Sequence, residues 1–224
     1  VQWNMIVTAV HSLSFEEFVL KYLEALEKTD LLALGFGVLG GVDFHREMGG
    51  GGQLSDLASL SRDLNCAVAA GADTDLYGAR RKSVALCEKG RLTDVCDAVY
   101  PGDPGLAAGG DFRLYGFACG KIGVIVNRDL FCPVCARALA SAEAKIFAAA
   151  ADSPVSGRLI LAARAAALQN GRPCLLTCRD YSLLSDMRGE IKFASPSPVF
   201  RWEFEIETSD EFLCERRLKN PYKT

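Results

Sequence analysis

Short apolar runs alternate with amphipathic segments along most of the chain. Continuous apolar runs predict buried strands, and they occupy residues 4–10, 30–36, 66–71, 83–87, 121–127, 144–150 and 173–178. Apolar residues at helical spacing predict helices at about 15–28, 54–64, 132–142 and 156–169. Ser14 and Glu17 form the signature of a capping box at the start of the first helix. The alternation of strands and helices predicts an α/β fold in which helices pack on sheets.

Three other segments have distinctive patterns. From Phe200 to Glu207, apolar residues alternate with charged ones, which predicts a half-buried strand in an open sheet. The glycine run at 49–52 predicts a flexible joint, because it lacks the Lys-Ser/Thr pair of a phosphate-binding loop. Residues 97–111 are rich in proline and glycine and predict a long surface loop, where binding sites are common. No linker interrupts the chain, so we expect a single domain over residues 1–224.

The composition is that of a folded domain. Half of the 224 residues are hydrophobic and 24% are charged, whereas disordered chains have too little apolar surface to fold. The formal net charge of −3 indicates no excess of basic residues that would attract nucleic acid or an anionic membrane. No apolar run reaches the roughly 20 residues of a membrane-spanning helix. We therefore expect no nucleic-acid and no membrane partner, while small neutral or cationic ligands and protein partners stay open.

The cysteines are scattered along apolar segments. They are Cys66, Cys87, Cys96, Cys119, Cys132, Cys135, Cys174, Cys178 and Cys214. Their odd number and apolar neighbours predict reduced, mostly buried thiols in a cytoplasmic protein. The Cys-x-x-Cys pair Cys132 and Cys135 also allows a redox dithiol at a helix start, and with Cys174 and Cys178 it allows a structural zinc site. Because packing explains these residues better, we expect no metal and no cofactor.

The segment from Gly120 to Pro133 resembles the nucleophile region of the nitrilase superfamily of carbon–nitrogen hydrolases. It reads GKIGVIVNRDLFCP, and the family pattern is Gly, Lys or Arg, Ile, Gly, three apolar residues, Cys, Tyr or Trp, Asp, Leu, any residue, Phe and Pro. Weaker matches stand in the family's order at 30–34, at 163–165 with 170–171, and at 184–190. The resemblance covers residues 5 to about 206. It implies a four-layer α-β-β-α sandwich and a homodimer formed through helices that flank the site.

Enzymes of this family attack an amide or nitrile carbon with a cysteine thiolate, aided by a glutamate base and a lysine that stabilises the oxyanion. The resemblance places these three groups at Asn127, Phe36 and Ala98. An amide side chain is neither a nucleophile nor an acid at neutral pH. We therefore predict a catalytically degenerate protein without catalytic residues, which acts as a small-molecule-binding or structural module. Its candidate ligand contacts are Phe36, Ala98, Asn127 and Arg128, in a pocket that we expect to be largely uncharged.

The rival interpretation is an enzyme with a different nucleophile. It would be an amide or nitrile hydrolase, or a thiol enzyme, and Cys132 is the first candidate for its nucleophile. Asp129 matches the carboxylate that follows the nucleophile in the family. We expect it to form a structural ion pair with an arginine such as Arg137 or Arg164.

Overall fold

The computed structural model describes residues 3–24, 26, 28–48 and 52–210, which form two β-sheets. The first sheet contains β1 (Trp3–Val10), β2 (Leu31–Leu34), β3 (Gly41–Asp43), β4 (Ala67–Leu76), β5 (Ala79–Glu88), β6 (Arg91–Asp97) and β13 (Val199–Ile206). Its order is β13-β1-β2-β4-β5-β6, with β3 paired to β4. The second sheet contains β7 (Leu114–Phe117), β8 (Gly120–Val126), β9 (Ile146–Ala150), β10 (Cys174–Thr177), β11 (Ser182–Ser185) and β12 (Ile191–Ser195). Its order is β12-β11-β10-β9-β8-β7.

Helices cover the outer faces of both sheets. The α-helices of the described residues are α1 (Phe15–Tyr22), α2 (Phe44–Glu47), α3 (Gln53–Asp63), α4 (Pro133–Ser141) and α5 (Gly157–Asn170). Buried side chains of α1 and α3 pack against the first sheet, and those of α4 and α5 pack against the second. A third apolar cluster joins the inner faces of the two sheets and includes Val7, Leu86, Val124 and Leu175. These layers confirm the predicted α-β-β-α sandwich.

The sequence signals at the helix starts have structural counterparts. Ser14 Oγ accepts a hydrogen bond from the Glu17 N–H at 3.2 Å, and Glu17 Oε2 accepts one from the Ser14 N–H at 3.1 Å. The capping box is therefore confirmed. However, α1 ends at Tyr22 instead of near residue 28. A turn follows it, in which the Leu26 N–H donates to the Tyr22 carbonyl at 3.0 Å and Leu26 packs against the apolar cluster of the first sheet. The glycine run at 49–51 lies outside the described residues, and Gly52 is the N-cap of α3.

Five strands are absent from the sequence prediction, namely β3, β6, β7, β11 and β12. Three of them, β6, β7 and β12, lie at the edges of the sheets. β6 is largely polar and mostly exposed or half-buried, and β7 has only four residues. A strand with a single neighbour buries less surface, so its sequence needs no continuous apolar run. The alternating segment, in contrast, forms β13 as predicted and pairs antiparallel with β1. In the described residues no helix is both long enough and apolar enough to span a bilayer.

Parallel pairing determines where the ends of the central strands lie. β2 is parallel to β1 and β4, and β8 and β10 are both parallel to β9. Parallel strands end at the same edge of a sheet, and ligands commonly bind in the crevice outside their carboxyl ends. Phe36, Asn127, Asp152 and Arg179 each follow such a strand by one or two residues. The topology therefore brings together residues that are far apart in sequence.

Candidate functional site

A cavity of about 1020 Å³ opens beside the carboxyl ends of β8 and β9. Its walls come from the loop after β6, from the 3-10 helix Asn127–Phe131 and from the start of α5. The lining includes Lys82, Tyr100, Gly102, Asp103, Leu106, Asn127, Arg128, Phe131, Cys132, Asp152, Ser156, Arg158 and Leu159. Small-molecule sites usually measure about 300–1,000 Å³ and combine apolar walls with a few polar groups. This cavity has the size and the mixed lining of a ligand site.

Asn127 lies at a sharp turn directly after β8. Its φ of +50° is in the left-handed region, which asparagine tolerates better than most residues with a Cβ. Its Oδ1 accepts a hydrogen bond from the Asp152 N–H at 3.3 Å. The half-buried side chain therefore joins the end of β8 to the segment after β9 while it lines the cavity.

Asp129 holds the loop after β6 against the 3-10 helix. Its buried carboxylate accepts hydrogen bonds from the N–H groups of Val99 at 3.0 Å and Tyr100 at 2.7 Å. Burial raises the pKa of Asp129 in spite of these two backbone hydrogen bonds. The expected ion pair with Arg137 or Arg164 is wrong, because these arginines donate instead to Asn170 Oδ1 and to the Gly189 carbonyl. Backbone amides, which hydrogen-bond strongly to a carboxylate, take the place of the arginine.

Phe36 and Ala98 lie in the core beside the cavity and are not among its lining residues. Their exposed fractions are 2% and 1%, and both belong to the apolar cluster between the sheets. The Phe36 ring packs closely against Gly71, where a Cβ would approach the ring to 2.9 Å. The Ala98 N–H donates to the Lys82 carbonyl at 2.8 Å. Of the four candidate ligand contacts, the structure places Asn127 and Arg128 on the cavity wall.

Lys82, on β5, is a site residue that the sequence analysis missed. Its Nζ lies 5.6 Å from the centroid of the Phe36 ring and forms hydrogen-bonded ion pairs with Asp73 and Asp152. Arg179 Nε donates to the other oxygen of Asp152 at 2.5 Å. The pocket is therefore more charged than predicted. Lys82 could have been identified from the register of the β4–β5 hairpin, in which Asp73 lies opposite Lys82. No local pattern in the sequence specifies that register.

The ion pairs favour the charged forms of Lys82, Asp152 and Arg179. Burial disfavours the ammonium of Lys82, but the hydrogen bonds to Asp152 and Asp73 outweigh burial and raise its pKa. Burial likewise disfavours the carboxylate of Asp152, but hydrogen bonds from Arg179 and Lys82 outweigh it and lower its pKa. Lys82 therefore carries a proton at neutral pH and cannot serve as a base.

The cysteines in the described part of the chain do not assemble into a metal site. The eight that lie in the described residues are free thiols, and no group of three or more His, Cys, Asp or Glu side chains in the described part could hold a metal ion. Cys132 is half-buried and lines the cavity. Cys135, three residues further on, is fully buried, and burial raises its pKa. Cys132 is thus the one thiol on the wall of this cavity in the described chain.

The sequence matches no known family model and no curated protein, but the fold is similar to solved structures. The Nit3 protein of Saccharomyces cerevisiae, a member of branch 10 of the nitrilase superfamily, gives a TM-score of 0.74 at 17% identity over 99% of this chain and 96% of that one. A carbon–nitrogen hydrolase from Helicobacter pylori gives 0.71 at 16% identity over 92% and 90%. A mutant of an amidase from Nesterenkonia gives 0.74 at 13% identity over 95% and 94%.

These similarities show that the chain has the fold of the nitrilase superfamily. The structure of another mutant of the Nesterenkonia amidase shows the acetamide moiety of fluoroacetamide added covalently at the active-site cysteine of that mutant. At such low identities the shared fold does not specify the activity, because one fold can host many functions. The residues that line its own cavity therefore determine what this chain can do.

Proposed function

We propose that this protein is a catalytically degenerate relative of the carbon–nitrogen hydrolases that binds a small molecule in the cavity beside Asn127. The position of Asn127 carries the proposal. It occupies a left-handed turn directly after β8, on the wall of a cavity of about 1020 Å³, where the family resemblance puts the nucleophilic cysteine. The site has kept a ligand-sized space without a group at this position that could attack an amide.

The other two catalytic functions also lack a suitable group at their expected positions. A general base needs an acceptor within hydrogen-bond reach of the proton that it removes, and the phenyl ring of Phe36 has none. Ala98 has no donor for an oxyanion. Lys82 brings a cation to the same region, but Asp73 and Asp152 accept two of its three N–H bonds. Asp152 is in turn held by Arg179, so this network is already satisfied by its own members.

A second candidate function is a thiol enzyme that uses Cys132. The observation in its favour is that Cys132 lines the same cavity as Asn127 and precedes the first turn of α4. Against this function, no histidine lines the cavity among the described residues. Its two carboxylates, Asp103 and Asp152, already accept hydrogen bonds from the Gly105 N–H and from Lys82 and Arg179, whereas an activated nucleophile normally has a base within reach.

Fluoroacetamide distinguishes the two candidates. Incubation of the protein with this amide, followed by intact-mass spectrometry, should give no adduct, since the position of the family's nucleophile is an asparagine. A thiol enzyme would give a single adduct that disappears in Cys132→Ser and persists in Cys119→Ser. Cys119 is a suitable control because it too is half-buried, and it is absent from the lining of the cavity. An adduct with that dependence would replace the proposal with the thiol enzyme.

The homodimer implied by the family resemblance remains a proposal. Apolar side chains on the outer helices beside the cavity are well exposed, among them Val134 on α4 at 63% and Leu161 on α5 at 66%. They would supply apolar contact area if these helices pair between subunits. A cytoplasmic location remains a prediction as well, and the free thiols of the described residues are compatible with it.

A further inference from the structure

Two arginines on the cavity wall lack an acidic partner in the part of the chain that the structure describes. Arg128 follows Asn127 on the 3-10 helix, and Arg158 lies in the first turn of α5. Within the described residues neither guanidinium forms an ion pair or a hydrogen bond. The aliphatic part of Arg128 packs across Gly102, where a side-chain Cβ would overlap it. The main chain at Gly102 is also in the left-handed region, with a φ of +74°, so this position is shaped around the arginine.

The other charged side chains in and beside the cavity each have a partner of their own. Asp73, Lys82, Asp152 and Arg179 form a connected network with two charges of each sign. The carboxylate of Asp103 accepts a hydrogen bond from the Gly105 N–H at 3.1 Å within its own loop. The two arginines carry two positive charges and Asp103 carries one negative charge, so the cavity has a surplus of one positive charge. This local surplus is opposite in sign to the net charge of −3 of the whole chain. The cavity therefore favours an anionic ligand, although the net charge alone suggests a neutral or cationic one.

The rest of the lining suits the apolar part of an organic ligand. Leu106, Phe131 and Leu159 contribute apolar surface, and Tyr100 contributes an aromatic ring with a hydroxyl group. The volume exceeds what an inorganic anion fills, since drug-sized ligands occupy about 300–1,000 Å³. The cavity thus combines apolar surface with a positively charged wall.

We propose that the cavity takes a small organic monocarboxylate, with its carboxylate on Arg128 and Arg158 and its apolar part against Leu106, Phe131 and Leu159. The inference rests on the proposed function, because it takes the cavity as the binding site. Guanidinium groups match a carboxylate with two parallel N–H bonds. A surplus of one positive charge is balanced by a monoanion, whereas a phosphate monoester would leave negative charge uncompensated.

A matched pair of ligands tests this inference by ligand-observed NMR titration. The probes are N-acetylphenylalanine, its neutral carboxamide, and phenyl phosphate. N-acetylphenylalanine should bind at least about tenfold more tightly than the carboxamide, because a hydrogen bond to a charged group contributes more than one to a neutral group. Arg128→Gln and Arg158→Gln should each remove most of that preference. Arg91→Gln, an exposed arginine on β6 that does not line the cavity, should preserve it.

The outcomes separate this inference from the proposed function. Equal binding of acid and carboxamide, tighter binding of phenyl phosphate, or binding of none of the three probes would overturn the carboxylate preference. The arginine variants would overturn it too if they bound N-acetylphenylalanine like the wild type. Cleavage of the bound amide would contradict the proposed function but would leave the carboxylate preference intact.

Discussion

Replacing Ala98 with lysine should lower the free energy of unfolding by about 4–5 kcal/mol instead of restoring an oxyanion-stabilising group. Ala98 is 1% exposed and lies in the cluster between the two sheets. Its N–H donates to the carbonyl of Lys82, so it continues the β5–β6 register directly opposite Lys82. Side chains of directly opposite residues share one face of a sheet. The new ammonium would therefore be buried beside an existing one, with no free carboxylate to pair with it.

Ala98→Met is the matched control, because it adds a chain of similar length without charge. Overpacking a core typically costs about 1–3 kcal/mol, so urea denaturation should show Ala98→Lys to be clearly less stable than Ala98→Met. Equal stability of the two variants would mean that the space around Ala98 accepts an ammonium. The position could then hold a functional lysine, contrary to our account.

Lys82→Met should reduce the stability by about 2 kcal/mol. Breaking a buried ion pair typically costs about 3–5 kcal/mol, and the loss is smaller here because Arg179 still pairs with Asp152 and Asp73 is half-exposed. Lys121→Met is the control, since the pair of Lys121 with Glu143 is exposed and should contribute less than about 1 kcal/mol. Asp152→Asn should destabilise Lys82→Met less than it destabilises the wild type, because the Lys82–Asp152 pair is already absent from that variant.

The pH dependence of the stability should change in a defined direction in Lys82→Met. The pKa of Asp152 is lowered from 3.8, so its stabilisation is present above that pH and is lost as the pH falls through the folded-state pKa. The pKa of Lys82 is raised from 10.5, so its stabilisation is present below that pH and is lost as the pH rises further. Lys82→Met should remove the alkaline loss and weaken the acid loss. Denaturation at pH 3, 7 and 11.5 that gives the same dependence of stability on pH for the two proteins would contradict the central position of Lys82.

Much of the sandwich could be predicted from the sequence because the buried strands are continuous apolar runs. Residues 121–127 and 144–150 correspond closely to β8 and β9, both of which are covered on two faces. The same logic fails for β6, a polar edge strand. Its absence from the prediction also concealed the pairing that brings Ala98 next to Lys82.

The charged part of the site could not be predicted, since it depends on pairing between strands. Lys82 and Asp152 are 70 residues apart, and only the packing of the two sheets brings them together. The partners of Asp129 were missed for a related reason, because they are backbone groups of a loop whose path has no sequence signal. Asn127, in contrast, could be placed at a strand end from the local pattern alone.

The most direct test of our account is the release of ammonia from simple amides and nitriles, such as acetamide, benzamide and benzonitrile, by the purified protein. We predict no release above the rate without protein for the wild type, and none for Asn127→Cys, which regains a thiol but still lacks a base and an oxyanion donor at Phe36 and Ala98. Steady release in proportion to the protein concentration, by the wild type or by Asn127→Cys, would contradict the account.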